Sequence, residues 1–189
     1  MDLPKQTAEI FEILIKGQFI CSNSTDDNNR KLYNIIDDNY QDLHEYYKQI
    51  NFFLERGDEY FYFSRETSKA ELERKLEIAF RWIDIVDFFK TFDSSFSSGY
   101  RFSPSEILVR LNIDTELKNK LVGLKKHTGG KEKHSDIIEK VIELLEKDCF
   151  IELENEISLS YKVLASFKYL EQLVLAINIP DDVKNEIPQ

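Results

Sequence analysis

The stretch Phe52-Phe53-Leu54-Glu55-Arg56-Gly57-Asp58-Glu59-Tyr60-Phe61-Tyr62-Phe63-Ser64-Arg65 decides how this chain is read. Two apolar and aromatic runs flank Arg56-Gly57-Asp58-Glu59, which is turn chemistry with a glycine available for positive φ. The segment predicts a β-hairpin, and Arg56-Gly57-Asp58 is then its turn rather than an adhesion tripeptide. Upstream the periodicity is helical. Ala8, Ile10, Phe11, Ile13, Leu14 and Ile15 make one broad apolar face from about Lys5 to Lys16, and Gly17 follows as a stop. The polar run Ser22 to Asn29 reads as a loop. Helical patterns then cover about Arg30 to Asp37, with Leu32, Ile35 and Ile36, and Tyr40 to Ile50, with Leu43, Tyr46 and Tyr47.

Downstream, Ser68-Lys69-Ala70-Glu71 has the form of a capping box, in which Ser and Glu side chains satisfy free N–H groups of the first turn. It opens the longest predicted helix, to about Phe92. The apolar positions from Leu72 to Phe92 wrap far beyond the ~100° stripe of a surface helix. Its second half is therefore expected to be buried on nearly all sides, as a spine within the chain or against another chain. The Ser-rich stretch Asp93 to Gly99 ends it. Ser103-Pro104-Ser105-Glu106 repeats the capping box and adds Pro at the first helical position, predicting a short helix to about Leu111. A helix from Thr115 to Lys126 has Asp114 as its cap. After Gly129-Gly130, Ser135 is expected to cap a helix carrying Ile137, Ile138, Val141, Ile142, Leu144 and Leu145. Cys149 to Leu153 and Tyr161 to Leu164 read as a second hairpin around Glu154 to Ser158, and Phe167 to Ile177 as a closing helix.

Three helices followed by a hairpin are thus predicted twice, either side of a long central helix. No strand alternates with a crossover helix, which excludes an α/β plan. The expected fold is mostly α with small β-hairpins: tandem winged-helix domains joined by a long central helix. Its divisions are 1–66 for the first winged helix, 67–100 for the central helix and linker, 101–178 for the second winged helix, and 179–189 for a tail. A length of 189 residues suits two small domains, and 14 Phe, 9 Tyr and one Trp exclude a disordered chain. Met1-Asp2-Leu3-Pro4-Lys5 has no basic and apolar regions of a secretion signal, and no apolar run approaches ~18 residues. Cys21 and Cys149 sit beside apolar residues with no second ligand at metal spacing, so they read as reduced packing thiols. A cytoplasmic protein without membrane contact is expected.

Catalytic chemistry finds little support. Gly123-Leu124-Lys125-Lys126-His127-Thr128-Gly129-Gly130-Lys131-Glu132 is the nearest approach to a phosphate loop, but its spacing is wrong, Glu132 replaces the hydroxyl residue, and a helix precedes it. His44, His127 and His134 pair with no other ligand at a recognised spacing and read as solvated histidines. Asp26-Asp27 and Asp37-Asp38 fall at helix ends rather than in an apolar pocket that could raise one pKa. No nucleophile elbow and no dinucleotide turn is present. The expectation is a protein that is not an enzyme and needs no cofactor or metal.

Charge decides what winged helices would bind. Thirty-five acidic against 25 basic residues give a net charge of −10, and the acids concentrate where DNA would be read. Ser135 to Ile157 carries eight acids and two lysines, and Asp37 to Glu59 seven acids and two bases. Both surfaces repel phosphate and suit protein partners better. The exception is Lys118, Lys120, Lys125, Lys126, Lys131 and Lys133 against Glu132 alone, read as a solvated loop or as an auxiliary DNA contact within a larger complex. Phe52, Tyr60 and Tyr62 of the hairpin, and Ile78, Trp82, Ile85 and Phe89 of the central helix, are candidates for a partner or dimer interface. A transcription regulator binding operator DNA through one winged helix is the alternative.

Ile10-Phe11-Glu12-Ile13-Leu14, Phe52 to Phe63, Ser103-Pro104-Ser105-Glu106-Ile107-Leu108 and Tyr161-Lys162-Val163-Leu164-Ala165-Ser166-Phe167 resemble the MksE family, the MukE-like accessory subunits of bacterial SMC condensins. The resemblance covers nearly the whole chain, and its motifs are structural. It implies a dimeric tandem winged-helix protein without ATPase activity, bound to a kleisin subunit that bridges the heads of an SMC ATPase. The task implied is chromosome condensation and segregation, or plasmid defence of the Wadjet type. The interface residues above come from the aromatic hairpin and the central helix, not from the family.

Overall fold

The computed structural model describes residues 3–65 and 69–177. In chain order the elements are α1 (Thr7–Leu14), β1 (Ile20–Cys21), α2 (Asp27–Asp38), α3 (Tyr40–Lys48), β2 (Phe53–Arg56), β3 (Tyr60–Ser64) and α4 (Lys69–Phe92). There follow β4 (Arg101–Phe102), α5 (Pro104–Leu111), α6 (Thr115–Gly123), a 3-10 turn (Leu124–His127), α7 (His134–Lys147), β5 (Ile151–Asn155), β6 (Ser160–Val163) and α8 (Phe167–Ile177). The molecule is mostly helical with two small antiparallel sheets, ordered β1-β3-β2 and β4-β6-β5. Strands β1 and β4 were not among the sequence expectations, because two residues are too few to show a period. The capping expected of Ser68 and Glu71, and the tail 179–189, lie outside the described residues.

The caps largely follow the sequence. Ser103 and Glu106 form both halves of a capping box at α5, and Asp114 accepts from Leu117 N–H at α6. Asp26 caps α2 through Asn28 N–H, so the loop expected to run to Asn29 already ends there. Ser135 does not cap α7. The helix starts two residues earlier, at His134 after Lys133, and the Ser135 hydroxyl donates to Asp136 instead. The helix expected over Thr115 to Lys126 tightens into the 3-10 turn from Leu124.

Two backbone devices recur in both halves without matching residues. Asn51 after α3 and Cys149 after α7 are left-handed, with φ of 62° and 59°. Phe52 N–H then reaches Tyr47 O at 3.1 Å and Phe150 N–H reaches Leu145 O at 2.8 Å, which is the Schellman closure of a helix end. The hairpin turns end on a second left-handed pair, Glu59 and Leu159, at φ of 67° and 49°. Gly57 therefore does not supply the positive φ expected of it. It is needed for space, since a Cβ there would lie 2.0 Å from Cζ of Tyr60.

The aromatic run of β3 is explained by burial on both faces, which removes the usual in-out alternation. Ile20 and Phe61 point to a first core with Ile10, Leu14, Leu32, Ile36, Leu43, Tyr47 and Leu54. Their neighbours Phe19, Cys21 and Tyr60 point the other way, into a second core built from α4 to α8. Helix α4 packs on α6, the 3-10 turn and α8. Trp82, Ile85, Val86, Phe88 and Phe89 are buried there, so the second half of α4's over-wide apolar face is closed by its own chain, while Ile78 and Phe80 stay exposed. In the second half α4 precedes β4 as α1 precedes β1 in the first, with α6 and α8 as additional helices.

A polar junction locks the halves together. The Asn23 carboxamide accepts from Ala165 N–H at 2.8 Å and donates to Val163 O at 3.3 Å. The Glu152 carboxylate takes Ser24 Oγ at 2.7 Å, Thr25 N–H at 2.5 Å and Thr25 Oγ1 at 2.6 Å. Asn23, Ser24 and Thr25 of this loop thus each bond to the other half.

Candidate partner-binding surface

The seven candidate interface residues separate by burial. Tyr60, Trp82, Ile85 and Phe89 are each under 5% exposed, packed by this chain. Phe52 and Tyr62 are half-buried and Ile78 is exposed. Phe52 and Tyr62 line a cleft of about 380 Å³ where the two halves meet, together with Phe63, Trp82, Phe150 and Tyr169. Tyr62 and Tyr169 meet edge to face at 5.2 Å, and Trp82 and Phe150 at 5.0 Å, which fixes the ring positions around the cleft. Asp148 also faces it. Burial, only partly offset by Arg81 and Lys147, holds this carboxyl above the usual carboxylate range, and the Arg81 guanidinium stands 3.8 Å away. Phe150, Tyr169 and Asp148 were not singled out from sequence. Their contribution depends on a contact between segments more than 80 residues apart in sequence, which no local period reports.

The six lysines do not form one free patch. Lys126 Nζ and His127 Nε2 both lie 2.7 Å from Asp84 Oδ2. Burial alone would raise Asp84, but the bonds from His127 and Lys126 outweigh it and hold its pKa below the usual range. Lys120 is 2.7 Å from Asp87 and 3.7 Å from Glu116, and Lys125 is 2.7 Å from Glu132. Among the described residues, Lys118, Lys131 and Lys133 are exposed and without an ion pair. Half of the positive charge therefore fastens α6 and the 3-10 turn, most of it to α4.

Two of the three histidines, His44 and His127, are also tied into structure rather than solvated as expected. His44 Nδ1 lies 3.0 Å from Leu54 O, and His127 holds Asp84. Gly129 and Gly130 are left-handed, and the loop they form follows helical turns rather than a strand, so no phosphate cradle is assembled. Burial pushes the Cys21 thiol up to about 12, which keeps it protonated and unreactive. Among the described residues no three His, Cys, Asp or Glu side chains are placed to hold a metal, and no helix is long and apolar enough to cross a membrane.

The two hairpin tips differ. Lys168 Nζ of α8 grips Asp58 at 2.6 Å and Glu59 at 3.3 Å, so the first tip is held by the second half. Among the described residues none grips the β5–β6 tip, and Ile157 on it is 98% exposed. Compared with known proteins, residues 5–174 match the family model described as condensin complex protein MksE. No curated protein matches the chain.

Proposed function

The chain belongs to the MksE family of condensin complex proteins, and from that premise we propose that it binds a kleisin subunit bridging the heads of an SMC ATPase. The family is one of condensin accessory subunits and not a known family of enzymes. Each half is read as a winged helix, the first over residues 3–65 and the second over 69–177. The recurring order of helix, strand, helices and hairpin, and the two equivalent sheet orders, support that reading. On this division α4 opens the second winged helix instead of standing between the two.

The observation that carries a protein partner over DNA is what has become of the DNA-reading surfaces. The third helices and hairpins hold most of the net acid, and the first hairpin tip is bound by the molecule itself. A regulator gripping operator DNA needs the opposite charge there. Lys118, Lys131 and Lys133 offer at most a weak auxiliary contact to DNA inside a complex. The subunit is read as a homodimer, for which α4 retains Ile78 and Phe80 as exposed apolar surface. Its task is chromosome condensation and segregation at the nucleoid, or plasmid defence. Mixing the purified chain with the kleisin and SMC subunits tests the reading: a stable ternary assembly is expected. A folded chain that ignores the kleisin while binding duplex DNA tightly and with steep salt dependence would sink it.

A further inference from the structure

The β5–β6 turn, Glu156-Ile157-Ser158-Leu159, contradicts ordinary turn chemistry, which favours Gly, Asn, Asp and Ser. Ile157 is 98% exposed and Leu159 51% exposed. Leu159 also holds φ at 49°, a conformation that a branched side chain with a Cβ disfavours and that Gly or Asn would adopt more easily. The turn is nevertheless held by hydrogen bonds of its own. Asn155 Oδ1 accepts from Ile157 N–H at 2.9 Å and from Ser158 N–H at 3.1 Å, and the strand register shifts between Leu153 and Asn155. Strain and apolar exposure held together on a fixed turn are a known mark of a binding element.

The first hairpin supplies the contrast. Its turn carries Asp58 and Glu59, and both are engaged by Lys168 of the same chain. Nothing of the described chain covers the second tip. Its surroundings are acidic: Glu156 lies in the turn, and the charges of Glu146 and Glu139 on α7 reach Tyr161 of β6. Among the described residues these three acids have no ion-pair partner. Phosphate is repelled there, and a second copy offers no two-fold match, because the tip would have to meet a different, basic surface and such head-to-tail contacts propagate instead of closing.

We propose that the β5–β6 tip is an apolar anchor that inserts Ile157 and Leu159 into a hydrophobic pocket of a protein partner whose rim carries Lys or Arg. The proposal rests on the reading of the chain as a subunit of an SMC complex, and places the contact at one end of the second half. Two variants test it on the full chain, with the purified kleisin and SMC subunits as probes. Ile157→Ser removes a side chain that touches almost nothing in the free protein, so its melting temperature is expected to stay that of the parent. Leu159→Gly relieves the left-handed backbone and is expected to melt higher, by roughly 2 °C. Both are expected to weaken binding to one of the probes by about tenfold or more, as loss of an interface anchor does. Unchanged affinity in both variants, with the parent binding normally, overturns the anchor and leaves the complex intact. Failure of the parent to bind either probe overturns the complex and the anchor together. Loss of self-association or of duplex DNA binding in the variants, with probe binding retained, assigns the tip to another occupant and overturns the proposal.

Discussion

Replacing Gly57 by alanine isolates one close contact at the seam between the halves. The residue is outside the left-handed region, so alanine fits the backbone and only the added methyl matters. That methyl would stand 2.0 Å from Tyr60 Cζ and 2.4 Å from both Cε atoms. The ring has little room to retreat: Tyr60 is 1% exposed, its ring centroid lies 5.7 Å from that of Phe19, and its hydroxyl donates to Gln172 of α8 at 3.4 Å. Overpacking of this kind costs about 1–3 kcal/mol, with a fall in melting temperature of roughly 2–4 °C per kcal/mol for a chain of this size. Urea unfolding of Gly57→Ala, Tyr60→Leu and the double variant reads it. In the Tyr60→Leu background the ring is gone, and the alanine is expected to cost less than about 0.5 kcal/mol. An equal penalty in both backgrounds, or none in the parent, would refute the assignment of Gly57 to space instead of φ.

Three further outcomes are expected. Ile85→Ala should destabilise by about 2–5 kcal/mol while Ile78→Ala stays within about 0.5 kcal/mol, because Ile85 is fully buried and Ile78 is 36% exposed; equal effects in thermal melts would mean that α4 is not closed by its own chain. Glu152→Ala leaves Thr25 N–H without its acceptor, at a cost of about 1–3 kcal/mol. Hydrogen exchange at Thr25 should then accelerate more than at Leu32 in the first core. Asp148→Asn should stabilise at neutral pH. The folded carboxyl binds its proton more tightly than the unfolded one, so ionisation opposes folding above an unfolded value near ~3.9, and the gain should vanish below about pH 3. A gain that persists in acid would contradict the burial of Asp148 as its cause.

The hairpin and the caps were legible because they are local. Arg56 to Glu59 marks a turn, and Ser103 to Glu106 a capping box, within four residues each. Gly57 was placed in the right turn for a different physical reason, since crowding by Tyr60 depends on a ring three residues on that is fixed from the far half. The alternation along Phe19-Ile20-Cys21 and Tyr60-Phe61 carries two cores on one thin sheet, and composition alone reads such a run only as hydrophobic. The interface candidates show the same limit. Trp82, Ile85 and Phe89 have the residue types of a binding surface, but a helical period reports which face is apolar and not what covers it. The exposed tip at Ile157 and Leu159 lay inside a turn marked only as connecting two strands. Its signal was available in the poor fit of Ile and Leu to turn positions, and the left-handed φ of Leu159 makes that misfit explicit.

Kleisin binding, rather than the reading of DNA, is the function we propose for this chain. Its most direct test is the solution mass of a mixture of the purified chain, the kleisin and the SMC ATPase, measured by light scattering at physiological and at high salt. Expected is one assembly containing all three at physiological salt. The contrary result is a chain that elutes alone at both salts in the presence of a folded kleisin.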